Sequence, residues 1–142
     1  MRFVIVAMGT LKDRGLRAVA DDYARRIRRH VPVDEVEVRE PAALARAIPR
    51  DALVVALEVG GELLSSAELA RRVERWGSQG KGKVAFVIGG ADGIPRELSS
   101  AAHARLSLSC LTLPHRLARV LLLEQIYRSI ALLRGEPYPR EG

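Results

Sequence analysis

A parallel α/β sheet flanked by helices is the fold class this chain predicts. Short β-rich runs alternate with stretches of helical periodicity along its whole length. Three of those runs, residues 2–8, 52–57 and 84–88, are almost continuously apolar, as in strands covered on both faces. With 142 residues and an apolar fraction of 48%, one domain over residues 1–142 can bury a sizeable core.

The elements follow in order. The first strand, residues 2–8, ends at Gly9-Thr10. In a helix over residues 13–30, Leu16, Val19, Ala20, Tyr23 and Ile27 form the apolar side, and Arg14, Arg17, Arg25, Arg28 and Arg29 fall opposite. Pro32 stops it. Residues 33–39 alternate, with Val33, Glu35, Glu37 and Arg39 against Asp34, Val36 and Val38, which predicts a more exposed strand near an edge. Pro41 opens a short helical piece through Ile48, and the strand over 52–57 is followed by Glu58-Val59-Gly60-Gly61. Ser65 and Glu68 have the spacing of a capping box, which starts a helix reaching about Trp76. After a turn over 77–82 and the strand over 84–88 comes the Gly-rich turn Gly89-Gly90-Ala91-Asp92-Gly93. Pro95 suits the first position of a short helix over 96–104, and 106–108 is a brief strand. Pro114 opens the last helix, which Gly135 ends before Pro137 and Pro139.

That last helix is apolar on more than one face, through Leu117, Val120, Leu121, Leu122, Leu123, Ile126, Ile130, Leu132 and Leu133. A sheet buries only one face of a helix. Packing against a second subunit accounts for the surplus, and a central helix fully buried within one protomer is the alternative.

Composition narrows the function classes. A net charge of +6 points to a polyanionic partner, although the Arg- and Ala-rich make-up is also that of a GC-rich genome. No apolar run reaches the roughly 20 residues needed to cross a bilayer, and the N-terminus is too short and wrongly flanked for a signal peptide. The single cysteine, Cys110, excludes an internal disulfide framework and fits a cytoplasmic protein. His, Cys and carboxylate residues do not fall at metal-ligand spacing, so no metal is expected.

Two loops stand out. Gly89-Gly90-x-x-Gly93 follows a strand and precedes a helix, where α/β sheets bind ligands, but it is neither the dinucleotide fingerprint nor a phosphate loop. A plain turn requiring positive φ explains it equally well. The run Leu108-Ser109-Cys110-Leu111-Thr112-Leu113 can offer peptide groups to an adenine edge while leucines sandwich the ring, or it is a connection crossing the core. His115 is a base, a phosphate contact or a helix-start residue; His30 and His103 have no apparent partners. Cys110, set among apolar residues, is expected to be inert. The Arg-rich first helix, with Arg25 and Arg29, is a solvated face or a surface for RNA phosphates, and the tail Tyr138-Pro139-Arg140 can stack on a base and pair with phosphate.

Taken together these residues resemble the ribosomal RNA large subunit methyltransferase H family, the small SPOUT-class enzymes that methylate a pseudouridine in 23S rRNA. The likeness covers nearly the full length. It includes Val6-Ala7-Met8-Gly9-Thr10-Leu11-Lys12, Leu57-Glu58-x-x-Gly61 and Ser65-Ser66-x-Glu68. It is densest in Phe86-Val87-Ile88-Gly89-Gly90-x-x-Gly93, Leu106-Ser107-Leu108-Ser109, Thr112-Leu113-Pro114-His115, Arg119-Val120, Glu124-Gln125-x-Tyr127-Arg128 and Gly135-Glu136-Pro137-Tyr138.

The resemblance implies an α/β fold whose C-terminal segment forms a deep trefoil knot, and a homodimer using the last helix. It implies S-adenosylmethionine in the knot, against Leu57, Gly89, Leu108, Ser109, Cys110, Leu111, Thr112 and Leu113. The implied substrate is 23S rRNA in the assembled 70S ribosome, methylated at N3 of a pseudouridine. His115, Tyr138 and Arg128 are then the catalytic candidates, with Arg119, Arg140, Arg25 and Arg29 on RNA. The chain departs from the family at Pro139, where a His is common, so a base role for that His does not carry over. Tyr138, His115 or solvent remains for the N3 proton. The segment over 39–50 also looks shorter than in relatives. The rival functions are an RNA-binding dimer of the same fold without transfer activity, and a methyltransferase acting on another rRNA or tRNA position. A nucleotide-dependent oxidoreductase lacks its fingerprint.

Overall fold

The structure, a computed structural model, describes residues 1–138. Its centre is the apolar runs. β1 (Arg2–Met8), β2 (Val33–Val38), β3 (Leu53–Leu63), β4 (Lys83–Ile88) and β5 (Ala104–Ser107) form one sheet in the order β2-β1-β4-β3-β5. Every neighbouring pair is parallel. β4 holds the middle between β1 and β3, and β1 and β4 are the most apolar, whereas the charged β2 lies at an edge, as its alternation predicts.

Period-two alternation sorts the side chains. Phe3, Ile5, Val55, Val84 and Phe86 point to one face, under α1 (Arg14–Arg28), α3 (Ser66–Ser78) and α5 (His115–Arg134). Val4, Val6, Ala85 and Val87 point to the other, under the short helices α2 (Pro41–Ala47) and α4 (Arg96–Ala101). None of the described helices is long and apolar enough to cross a membrane.

Helix ends follow local chemistry. The Asp13 side chain caps α1 by accepting the Leu16 N–H at 2.9 Å. The Ser65–Glu68 box is present in both directions, and α3 runs two residues beyond Trp76. Gly135 ends α5 in the left-handed conformation at φ 70°. Pro95 and Pro114 each sit one position outside their helix, as N-cap residues.

Four details differ from the sequence-based expectation. α4 ends at Ala101 and β5 starts at Ala104, inside the expected helix, because Ala104 pairs with Val55 of β3; β5 ends at Ser107. β3 continues through Glu58-Val59-Gly60-Gly61 to Leu63, because it pairs with β5 on both sides of a bulge: Leu106 faces Leu57 and again Glu62. A Cβ on Gly61 would lie 2.7–2.8 Å from the backbone of Arg105 and Leu106, so glycine is what permits this approach. Val19, placed on the apolar side of α1, is 42% exposed. The histidines expected to lack partners have them. His103 exchanges two hydrogen bonds with the Val54 backbone, and His30 faces Glu136 at 3.8 Å.

The surplus apolar surface of α5 is partly used within the protomer. α5 packs between α1 and α3, which buries Leu122, Leu123, Ile126 and Ile130. Leu117, Leu121, Leu132 and Leu133 remain exposed, between 38% and 49%.

Gly61→Ala should therefore destabilise the protein by about 2 kcal/mol or more, since backbone on both sides must move. Gly60→Ala, where a Cβ meets nothing within 4 Å, should stay within about 0.5 kcal/mol. Urea denaturation of both variants checks the pair.

Candidate active site

The middle of β3 at residues 57–59, the C-terminal end of β4 and the segment from Leu106 onward enclose a cleft of about 720 Å³. Two backbone devices shape it. At the end of β4, Gly93 donates to the Gly90 carbonyl at 3.0 Å and takes φ 77°. A Cβ on Gly89 would collide with the Gly93 backbone, so the Gly-rich segment is a tight turn that also walls the cleft. After β5, the Ser107 hydroxyl donates to the Ser109 carbonyl at 2.8 Å and the Leu111 N–H donates to the Ser109 hydroxyl at 2.9 Å. Those bonds fold 107–111 into a compact loop, and the chain after it lines the cleft. Among the described residues, the main-chain groups of Thr112 and Leu113 make no hydrogen bond, so their donors and acceptors stay available.

Seven of the eight residues expected against a cofactor line this cleft: Leu57, Gly89, Leu108, Ser109, Leu111, Thr112 and Leu113. Cys110 does not. It is exposed to solvent rather than set among apolar neighbours, because the Ser109 turn carries it outward. Glu58 escaped the sequence reading as a site residue and is the one carboxylate among the described lining residues. Its place directly after Leu57 at the end of a buried strand was the available signal. His115 lies at the cleft mouth, in the first turn of α5 and beside Gly9.

The remaining expected residues lie elsewhere. Arg119, expected on RNA, is 3% exposed and holds two carboxylates: its Nε donates to Glu35 at 2.9 Å and its other donor reaches Glu37 at 2.6 Å. The cause is the charged face of β2, which turns toward α5. Glu37 also accepts from Arg17 at 2.8 Å and from the Leu11 N–H at 3.2 Å. Burial alone would push the Glu37 carboxyl up, but the hydrogen bonds from Arg17, Arg119 and Leu11 outweigh it and hold it at about 2.

Arg128 and Tyr138 are not at the cleft. Arg128 stands 13 residues beyond His115 on the same helix, about 20 Å along its axis. There Glu124 accepts from Arg128 at 2.7 Å and from the Tyr138 hydroxyl at 3.0 Å, with Tyr23 also at 3.2 Å from that hydroxyl. The Tyr138 ring meets Tyr127 edge-on at 4.9 Å, and Arg128 lies 4.6 Å over it. Burial, with the Tyr23 and Glu124 contacts, raises the phenol above its usual range, so it stays protonated and donates a hydrogen bond at neutral pH. Arg25 is exposed on α1, beside Asp22 at 3.5 Å, and Arg29 is exposed at its C-cap. Arg140 and Pro139 lie outside the described residues. No group of three His, Cys, Asp or Glu residues able to hold a metal occurs among the described residues.

An open parallel sheet with an apolar, main-chain-rich cleft at its C-terminal edge has the form of a small-molecule site. The chain belongs to the SPOUT methyltransferases: the family described as "Predicted SPOUT methyltransferase" matches residues 1–139. It is 55% identical to a Sorangium cellulosum protein named ribosomal RNA large subunit methyltransferase H, over 97% of this chain and 99% of that one. A protein of the same name from Rubrobacter xylanophilus is 45% identical over 96% and 97% of the two chains. One from Acetivibrio thermocellus is 38% identical over 99% and 100%. The fold is also similar to that of a probable methylase family protein from Haemophilus influenzae, with a TM-score of 0.60 at 14% identity over 98% of this chain and 70% of that one.

The Glu37 interactions set an acid limit. Its carboxyl is ordinarily near 4.5 and sits at about 2 in the fold, so the stability it lends is complete above pH 4.5 and is lost as pH falls toward 2. Glu37→Gln should remove about 2 kcal/mol at pH 7 and flatten the loss between those two values. Thermal unfolding across that range is the check.

Proposed function

We propose that the protein transfers the methyl group of S-adenosylmethionine to N3 of a pseudouridine in 23S rRNA of the assembled 70S ribosome, as a homodimer joined through α5. One observation carries the reading. The residues implied to hold the cofactor, separated by up to 56 positions in sequence, fall into one cleft of about 720 Å³, within the range of small-molecule sites. The names of the relatives, all ribosomal RNA large subunit methyltransferases, support the substrate class.

The donor set fits an adenosyl ligand. Leu57, Leu106 and Leu108 provide apolar walls for a ring, and the main chain at Thr112 and Leu113 offers N–H and C=O to its edge. Glu58 supplies a negative charge for a cationic ligand. S-adenosylmethionine supplies a sulfonium methyl that is already electrophilic. The chain's part is therefore alignment, exclusion of water and management of one proton. His115, at the mouth, takes the proton from N3 of the base, whereas docked Tyr138 stands away from the cleft of its own protomer.

Dimerisation is supported by Leu117 and Leu121, exposed one turn apart on the stretch of α5 that leaves the cleft. Arg128 and Tyr138 stand away from their own cleft, so any catalytic part they take belongs to the cleft of the partner protomer. Arg25 and Arg29 serve RNA phosphate. The knotted path of the C-terminal segment, and a single unit over residues 1–142, belong to the same reading.

Labelled methyl transfer to ribosomes lacking the modification, with the product nucleotide mapped by mass spectrometry, tests the proposal. Label at a pseudouridine of intact ribosomes, and none on free 23S rRNA or tRNA, is expected. Cofactor binding without label on any RNA favours the non-catalytic RNA-binding dimer. Salt should weaken ribosome binding steeply while barely moving cofactor binding, and equal sensitivity would count against a phosphate-dominated substrate interface. In sedimentation, Leu117→Glu/Leu121→Glu should be a folded monomer with at least ~100-fold less transfer; a dimer of unchanged affinity would remove α5 from the interface.

A further inference from the structure

The cluster of Arg17, Glu35, Glu37 and Arg119 lies beside His115, not in the cleft, and the mechanism above leaves it unused. Breaking it at one member is costly, but against a wholly apolar replacement its stability value is small. Arg119 and Glu35 have side chains only 4% and 11% exposed, and removing charges from water offsets most of what their attraction returns. Apolar residues of the same volume would hold the helix on the sheet about as well. What apolar residues cannot do is set a direction.

The cluster joins two separate pieces of chain. One is the loop after β1. Leu11 donates its N–H to Glu37 and accepts from Arg17 Nε at 3.3 Å, so both of its main-chain polar groups are held by the cluster. Gly9, two residues earlier, donates to the Val38 carbonyl at 2.8 Å in a left-handed conformation at φ 78°. The other piece is the start of α5. Arg119 follows His115 by four residues, so the two lie one turn apart on the same side of the helix. Glu35 and Glu37 anchor that turn to the edge strand β2. Between the pieces remains a niche of about 10 Å³, lined by Gly9, Thr10, His115, Arg116 and Arg119, with space for about one water. His115 Nε2 stands 3.7 Å from where a Gly9 side chain would begin.

We propose that the Glu35–Arg119–Glu37–Arg17 cluster is a positioning device for methyl transfer, fixing the β1–α1 loop and the first turn of α5 at one spacing so that His115 is held at the cleft mouth. Arg119 is a positioning residue and touches neither ligand. The inference rests on the methyl-transfer reading for its kinetic consequence, but its geometric content stands apart from it.

Two measurements on the intact protein separate these. The variant Glu35→Gln/Glu37→Gln/Arg119→Met removes the buried charges together and keeps volume, so it should melt close to the wild type. Its affinity for S-adenosylmethionine and its KM for ribosomes should stay within ~3-fold, while kcat falls ~100-fold, the size of effect that loss of alignment produces. Arg119→Lys, which keeps the charge but cannot hold two carboxylates in a planar fork, should fold and show the same kcat defect. A wild-type kcat in the triple variant overturns the proposal, as does a loss matched by weaker cofactor binding. Independently of activity, NMR should show the His115 ring signals shifted and the Leu11 amide exchanging at least ~10-fold faster in the triple variant. Unchanged signals overturn the positioning role even if the methyl-transfer reading holds. Changed signals in a protein that methylates no RNA overturn that reading and leave the positioning role standing.

Discussion

Parallel pairing of all five strands governs the rest of the molecule. It brings every strand's C-terminal end to one edge of the sheet, so the loops after β1, β3, β4 and β5 gather there even though they are far apart in sequence. It also requires a crossover between successive strands, and the helices that make those crossovers bury both faces of β1 and β4. The cleft is a by-product of that geometry, completed where the chain leaves β5 and turns back over the sheet as α5.

The position of α5 links core to site. Its middle is locked between α1 and α3 by Leu122, Leu123, Ile126 and Ile130, while its first turn reaches the cleft mouth. A helix held so firmly at its centre is a rigid support for His115. At its far end the same helix carries Glu124 and Arg128, which gather Tyr138 against Tyr23 and Tyr127. One element thus presents two chemically distinct ends about 20 Å apart, and the exposed leucines lie along it.

Charge follows a similar division. The chain is strongly basic, yet part of that charge is taken up by pairs within the protomer. Arg17 and Arg119 are committed to Glu35 and Glu37, Arg72 to Glu62, and Arg128 to Glu124. Net charge describes the field the molecule presents to a polyanion; it does not say which cations face outward.

The strands, most helix ends and the edge position of β2 were legible in the sequence, since apolar run length, alternation and capping chemistry act over a few residues. Ser65 and Glu68, or Gly135, carry their structural meaning within one turn of helix. The resemblance to a known family also brought together the residues that line the cleft. Three things were decided only by the tertiary fold. Arg119 turned inward because β2 presents two carboxylates to α5 from 82 and 84 residues away, a pairing no local pattern encodes. β3 ran on past Leu57 because β5 offered a second stretch of partner across a bulge that Gly61 makes possible. Half of the apolar surplus of α5 found its cover in α1 and α3, because strand order places those two helices on either side of it. Local sequence sets what each segment prefers to become, whereas long-range pairing selects which of its surfaces meet another segment and which meet solvent.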